Sequence, residues 1–412
     1  MPPSTSDLIG GLKARTDLQC RTTRIHYNEA TTVPLSLNRK LVFTFPRHSQ
    51  GFLDMSSLHF SSIIKRSSGN AVLDATSFSQ FFRRVVLRHG NIVLCDLDAY
   101  SIGAPIIEKI NITTLTSQKE RLINGGFQDE NGTDQAALGA TLDGSGKRYN
   151  ISFVKGTVLN CQALIPVDRL SAAGSLQLEL YLENPTNIVR STVATDNFTL
   201  SDLDLYCDYI FSPSLSASAD WRVNFHCDDW QFRYQSLNGL RNTLRLPSSV
   251  SDLQECIIAL RDEAKDNPPS VTNDPNKLQN LISYSTISTW QMFVDSRPFF
   301  SEQLTDDKTT LLLWNECRKS EPNISTSRYF TDYENAADAN TLRQPPIIMN
   351  FQAAPKFADS MLSGITSTRH NVEAYIDFTF RTAQPATVAA FCFLKHTVRI
   401  YEDANGQLQV QK

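Results

Sequence analysis

Residues 176–183 read Leu-Gln-Leu-Glu-Leu-Tyr-Leu-Glu. Leu176, Leu178, Leu180 and Leu182 alternate with Gln177, Glu179, Tyr181 and Glu183. A helix would spread these leucines around its circumference, whereas a strand sends successive side chains to opposite faces and puts all four on one side. The segment therefore predicts a strand with one dry face and one wet or partly covered face, as in antiparallel sandwiches. The pattern recurs at Leu203, Leu205, Cys207, Tyr209 and Phe211, and again at Val372, Ala374, Ile376, Phe378 and Phe380, with Glu373, Asp377 and Arg381 pointing the other way. Leu41, Phe43 and Phe45 begin a shorter example that stops at Pro46.

Composition agrees with an all-β reading. The 412-residue chain is 41% hydrophobic and 20% charged, an ordinary globular balance, and it uses 23 phenylalanines. Aromatic and β-branched side chains suit half-buried pleated surfaces. The length exceeds one ordinary sandwich and suits two domains. A formal charge of −4 supplies no global electrostatic reason to bind nucleic acid. The opening MPPSTSDLIGGLKARTDLQC holds no signal-like apolar run, and no stretch approaches the roughly 18 apolar residues of a membrane span. Eight cysteines (20, 95, 161, 207, 227, 256, 317 and 392) are scattered without a CxxC pair and read as free thiols of a reducing compartment. Sequons at Asn111, Asn131, Asn150, Asn197 and Asn323 then read as chance matches. The expectation is an intracellular, soluble, two-domain protein.

Turn chemistry predicts two hairpins. Asn405-Gly406 separates Val398 and Ile400 from Leu408 and Val410, and Asn-Gly favours positive φ at both central positions. His89-Gly90 similarly separates FRRVVLR from NIVLC within residues 82–95. Helices are expected to be few and short. Ser251 with Gln254 forms a capping box ahead of Leu253, Cys256, Ile257 and Leu260; Ser117 with Glu120 opens a second candidate ending near Gly125-Gly126; residues 305–318 suggest a third. Long loops are read at 124–148 and 261–280, and the break between domains near 184–198.

Candidate chemistry is sparse. His226-Cys227-Asp228-Asp229 is a compact metal-capable set, but on a strand His226 and Asp228 share one face and Cys227 and Asp229 the other, so the four cannot converge on one ion. Asp96 and Asp98 share a strand face and could run acid–base hydrolysis only across a cleft; the plain reading is surface acids at a strand end. Gly144-Ser145-Gly146-Lys147-Arg148 imitates a phosphate loop, yet Thr141 and Arg148 stand where that motif requires Gly and Ser or Thr. Neither a G-x-S-x-G elbow nor an H-E-x-x-H pair occurs. Arg83, Arg84 and Arg88 make a basic strand suited to pairing with acids on a neighbour. Lys13, Arg15, Arg21 and Arg24 outweigh Asp7 and Asp17 in the N-terminal arm, which suits a solvated tail or non-specific contact with nucleic acid. No catalytic, cofactor or metal residue is expected.

Several segments, taken in order, resemble the major capsid proteins of polinton-like viruses and virophages, in the adenovirus-hexon lineage. LNRKLVFTFP, GFLDMSSLHFSSII and FFRRVVLRHGNIVLCDLDAY resemble the opening strands of their first jelly roll, with His89-Gly90 and Asp96 to Tyr100 carrying the pattern. IPVDRL at 165–170 and LQLELYLENP resemble its close; LSDLDLYCDYIF at 200–211 resembles the start of the second roll; TVAAFCFLKHTVRIYEDANGQLQV resembles the final strand and hairpin. The matches spread over nearly the whole chain, with 261–350 matching poorly. The resemblance implies two tandem jelly-roll β-sandwich domains with a few short helices in the loops: an arm over 1–30, a first roll over 31–190 and a second over 196–412. It implies no enzyme. It further implies a virion protein, a homotrimer that is pseudo-hexagonal in outline, meeting neighbouring capsomers and minor or penton capsid proteins in an icosahedral shell around double-stranded DNA. Two rolls per subunit give six similar units per trimer, and assembly covers edge strands.

Two rival readings rest on other residues. A lectin-like, carbohydrate-binding sandwich would need exposed aromatics, for which Trp221, Trp230, Phe232 and Tyr234 are candidates. A β-rich hydrolase would use Asp96 and Asp98, or Asp228 and Asp229.

Overall fold

A computed structural model describes residues 19–67, 72–73, 78–111, 146–152, 164–170, 174–190, 197–211, 223–246, 252–263, 286–305, 347–351 and 374–411. The alternating segments become sheet strands. One sheet runs β1 (Gln19–His26), β12 (Phe198–Phe211), β4 (Gly51–Arg66), β8 (Lys147–Ser152), with β2 (Thr32–Pro34) beside β12 and β9 (Leu164–Ile165) beside β4. A second runs β3 (Lys40–Thr44), β10 (Leu176–Leu182), β6 (Phe82–His89), β7 (Ile92–Leu97). β5 (Val72–Leu73) and β11 (Val189–Arg190) form a separate short pair. All of these pairings are antiparallel.

The dry faces of the two larger sheets meet. Leu178, Leu180 and Leu182 are wholly buried, as are Leu205, Cys207 and Tyr209. Phe60 of β4 meets Phe43 of β3 at 5.7 Å and Phe82 of β6 at 5.3 Å between ring centroids, both edge to face. Aromatic pairs prefer that geometry because the positive ring edge meets the negative ring face.

Two further sheets build the second sandwich. One runs β14 (Gly239–Arg245), β20 (Ala374–Gln384), β16 (Ile287–Val294), β17 (Arg297–Pro298), with β18 (Leu304–Thr305) beside β16. The other runs β13 (Asn224–Ser236), β21 (Val388–Glu402), β15 (Leu253–Asp262), β19 (Ile347–Asn350), with β22 (Leu408–Gln411) beside β21. Leu244, Ile376, Phe378, Trp290 and Met292 from the first share a core with Cys256, Ile258, Cys392, Leu394 and Met349 from the second. The period-two face expected at 374–380 is therefore the face that is buried.

Helices are few, as expected. Among the described residues they are α1 (Tyr100–Asn111), α2 (Pro185–Ile188) and a 3-10 turn at Phe78–Phe81. The sequence reading did not anticipate α1, which starts one residue after Ala99, at positive φ of 51°. At α2, Asn184 caps the first turn by accepting from the Thr186 amide.

Three expectations change in the structure. The helix read after Ser251 and Gln254 is strand β15, paired with both β19 and β21. Its apolar positions at 253, 256, 257 and 260 imitate helical spacing because Ile257, Ile258 and Ala259 are all buried; a strand covered on both faces loses the period-two signal. The second change concerns the break between domains. The chain divides into two compact units, and among the described residues the first takes those up to Ile107, those from Gly146 to Trp230, and Val398–Gln411, while the second takes Gln231–Thr397 with 108–111. Residues 200–211, read as opening the second roll, lie in the strand that joins β1, β2 and β4 in the first unit, because their Leu203–Tyr209 face belongs to that unit's core. Thirdly, β1 brings residues 19–26 of the expected arm into a sheet. The helices read at 117–126 and in 306–318 lie outside the described residues.

Both hairpins form. Gly90 takes φ of 56° in the two-residue turn between His89 and Ile92, the position that favours glycine at the first centre of a II′ turn. At the C-terminus Gly406 takes φ of 74°, while Asn405 is not left-handed. Asp403 pairs with Gln407, and its carboxylate accepts from the amides of Asn405 and Gln407 at 2.8 and 2.9 Å. The turn is thus a three-residue loop closed by a left-handed glycine rather than the two-residue Asn-Gly turn, because the Asp403 side chain satisfies the loop amides.

Candidate functional site

Each sequence candidate has a definite place. Arg84 grips Asp96 with two hydrogen bonds, 2.7 Å from Nε and 2.5 Å from Nη2, and Arg83 lies 3.8 Å from Asp98. Both acids are thus ion-pair partners of the basic strand β6, the planar guanidinium matching a carboxylate fork. Along β13, His226 is exposed, Cys227 buried, Asp228 half-buried and Asp229 buried, the alternation expected of residues that cannot converge. Arg148 lies in β8, so Gly144–Arg148 ends in a strand. Trp230 is buried, and Phe232 packs against Phe391 and Phe393 at 5.8 and 5.4 Å. Tyr234 is half exposed and stands edge-on to Phe391. Trp221, Lys13 and Arg15 lie outside the described residues. Of the sequons, Asn197 donates to the Leu35 carbonyl and accepts from the Phe198 amide, so its amide is engaged.

The polar face of β10 carries a second network. Glu179 is buried and accepts from Lys40 at 3.2 Å and from Tyr181 at 2.8 Å, with Arg88 at 3.7 Å. Arg84 also lies over the Tyr181 ring, 5.6 Å from its centroid. Burial would raise the Glu179 carboxyl, but Tyr181, Lys40 and Arg88 outweigh it and hold it below its ordinary value.

The most concentrated cluster had no local sequence signal. It lies on the outward face of the β1–β12–β4–β8 sheet, around Asp204, whose side chain is 1% exposed. Arg24 Nε and His26 Nδ1 each reach Asp204 Oδ1 at 2.8 Å. Arg24 Nη2 also reaches Asp202 at 3.1 Å, and Arg148 donates to both Asp202 and Ser61. Tyr206 adds a 3.5 Å contact to Asp204 and stacks on His59 with centroids 4.9 Å apart. His26 and Asp204 are register partners 178 residues apart in sequence, so only strand pairing brings them together. Local backbone helps: Asp202 takes φ of 50° beside a register shift between Ser201 and Asp204.

His26, Asp202 and Asp204 offer ligand atoms within 4.8 Å of one another. Two guanidinium groups already engage those carboxylates, so the arrangement is a neutralised ion-pair network rather than a built metal centre. Its chemistry is cohesion: burial would raise the Asp204 carboxyl, but hydrogen bonds from Arg24 and His26 hold it below its ordinary value of 3.8.

An acid dependence follows with a definite sign. Asp204 and Glu179 are both depressed in the folded state, so their contribution is complete above the ordinary values of 3.8 and 4.5 and is lost as pH falls through the lower folded ones. Urea midpoints are expected to hold from neutrality to about pH 5 and then fall steadily toward about pH 3. A midpoint that rises over that interval would contradict this assignment.

No protein-family model matches the chain, and no curated protein matches it by sequence. Solved structures do match. A chain of the PBCV-1 virus capsid superposes with a TM-score of 0.66 at 11% identity, over 97% of this chain and 98% of that one. The Faustovirus major capsid protein gives 0.56 at 11% identity, over 93% and 90%. A chain of the Sputnik virophage gives 0.55 at 10% identity, over 95% and 88%. The likeness runs through both sandwiches, and the fold of this chain is the double jelly roll of those viral capsid proteins.

Proposed function

We propose that this chain is the major capsid protein of an icosahedral double-stranded DNA virus, a structural protein of the virion and not an enzyme. The observation that carries the reading is the end-to-end likeness to the PBCV-1 capsid chain, 97% of one against 98% of the other. A double roll that matches over its full length carries with it the division of labour of such shells, in which paired rolls supply repeated, similar faces. In this reading three copies form a pseudo-hexagonal capsomer, which meets neighbouring capsomers and minor or penton proteins, and the basic residues ahead of β1 make non-specific contact with packaged DNA. The polar clusters fit that role, because Arg84–Asp96, Lys40–Glu179 and Arg24–Asp204 are spent on one another. The packing of Trp230 and Phe232 leaves the carbohydrate-binding alternative without the aromatic platform it needed from them.

Light scattering on the full chain, followed by imaging of the same peak, tests this directly. The expected particle is three times the 46.2 kDa chain, hexagonal in outline, or a closed shell built from it. A stable monomer that never assembles would overturn the capsomer reading.

A further inference from the structure

Strand β1 is held unlike the chain that follows it. Of its eight residues only Thr23 and Ile25 are even half-buried; the other six are exposed. Immediately afterwards Tyr27, Val33 and Leu35 are buried, at 3%, 0% and 2% exposure. Among the described residues β1 pairs along one side only, with Asp204–Phe211 of β12, while β2 continues on the same edge of β12 at Thr199–Ser201. The edge strand is therefore anchored by apolar packing from Tyr27 onward and by polar contacts before it. Those contacts are the backbone ladder, a 2.6 Å hydrogen bond from Thr22 to Asp208, and the cluster around Asp204 at the strand's end.

We propose that Gln19–His26 is a releasable strap, fastened to β12 by an ionic clasp of Arg24 and His26 on Asp204 and Asp202, and that neutralising the clasp frees the strap while Tyr27 and Val33 stay seated. Local opening requires a segment whose polar contacts outweigh its apolar burial, and β1 meets that condition. The groups facing Asp204 are Arg24 and His26 from β1, Asp202 and Tyr206 from β12, Ser61 from β4 and Arg148 from β8. Arg148 reaches Asp204 only at 4.0 Å and belongs to β8, so it steadies the acid without holding the strap. Protonating Asp204 removes the negative charge shared by Arg24 and His26 at once and weakens both hydrogen bonds, and the depressed carboxyl places that event below its ordinary value of 3.8. Opening exposes the backbone edge of Asp204–Phe211 that the eight strap residues cover.

Amide hydrogen exchange on the full chain, corrected for intrinsic rates at each pH, tests the strap. At neutral pH, Asp204→Asn is expected to lower protection of Gln19–His26 by at least about ten-fold, the loss that goes with one charge-assisted hydrogen bond, while β4 and β10 keep theirs. In the unaltered chain, strap protection is expected to fall ahead of every other strand as the pH drops below about 4. Arg24→Gln leaves the buried acid paired with His26 and Arg148 and decides the matter if the Asp204 variant does not fold; it should loosen the same eight residues alone. Equal protection in variant and unaltered chains, or loss spread evenly over the whole first unit, would overturn the strap.

Discussion

Phe60→Ala is expected to destabilise the first unit by about 3–5 kcal/mol. Phe60 is wholly buried on β4, where three rings from the opposite side close on it: Phe43 at 5.7 Å, Phe82 at 5.3 Å and Phe78 at 5.7 Å. Truncation removes both the transfer free energy of the ring and the dispersion contacts of those neighbours, and strands tied by ladders on both sides cannot collapse into the space. β4 is tied in that way, pairing with β12 through Leu205 and with β8 through Ile151 at this residue. Denaturant unfolding of the purified chain, compared with Phe60→Leu, measures the effect. The leucine variant should lose much less, since it keeps most of the volume. A loss below about 1 kcal/mol for the alanine variant would mean that the aromatic core does not carry the sandwich.

Trp290→Ala is expected to cost the second unit a similar amount, about 3–5 kcal/mol. Trp290 is 1% exposed at the centre of β16, paired with Phe378 on one side and Leu304 on the other. Its indole meets Phe300 edge-on at 5.6 Å and lies nearly parallel to Phe378 at 6.4 Å. Near-ultraviolet circular dichroism is the appropriate readout beside the denaturation curve, because it reports fixed packing around aromatic rings. The expected result is a lower midpoint with the aromatic signal of the remaining rings largely kept. Unchanged stability would contradict the placement of Trp290 in the core shared with Cys256, Met349 and Leu394.

How far the sequence carried the fold depended on whether each strand kept one wet face. β10, β12 and β20 each alternate, and each was legible: Leu178, Leu205 and Ile376 are wholly buried where period two places them. β15 was not legible. Covered on both faces, it presents a continuous apolar run that a helical template fits equally well, and only its pairing with β21 and β19 decides the matter. Helix α1 failed for the opposite reason. Its start follows a left-handed Ala99, and Ser101 in its first turn donates to the distant Glu183 at 2.5 Å, a contact the local sequence does not announce.

Chemistry divided along the same line. Arg84 with Asp96, and the separation of His226 from Cys227, could be read locally because hairpin partners and strand alternation are short-range facts. The cluster at Asp204 could not, since β1, β12 and β8 supply its members from residues 24–26, 202–206 and 148. By itself the sequence determined that the chain is built of two β-sandwiches, where many of the inward faces lie and which hairpins close them, because side-chain alternation and turn residues act over a few positions. Only the tertiary structure decided which sandwich claims residues 198–211 and which charges meet across the sheet. Strand order and register are set by the burial of whole faces against one another, and that free energy belongs to no single segment.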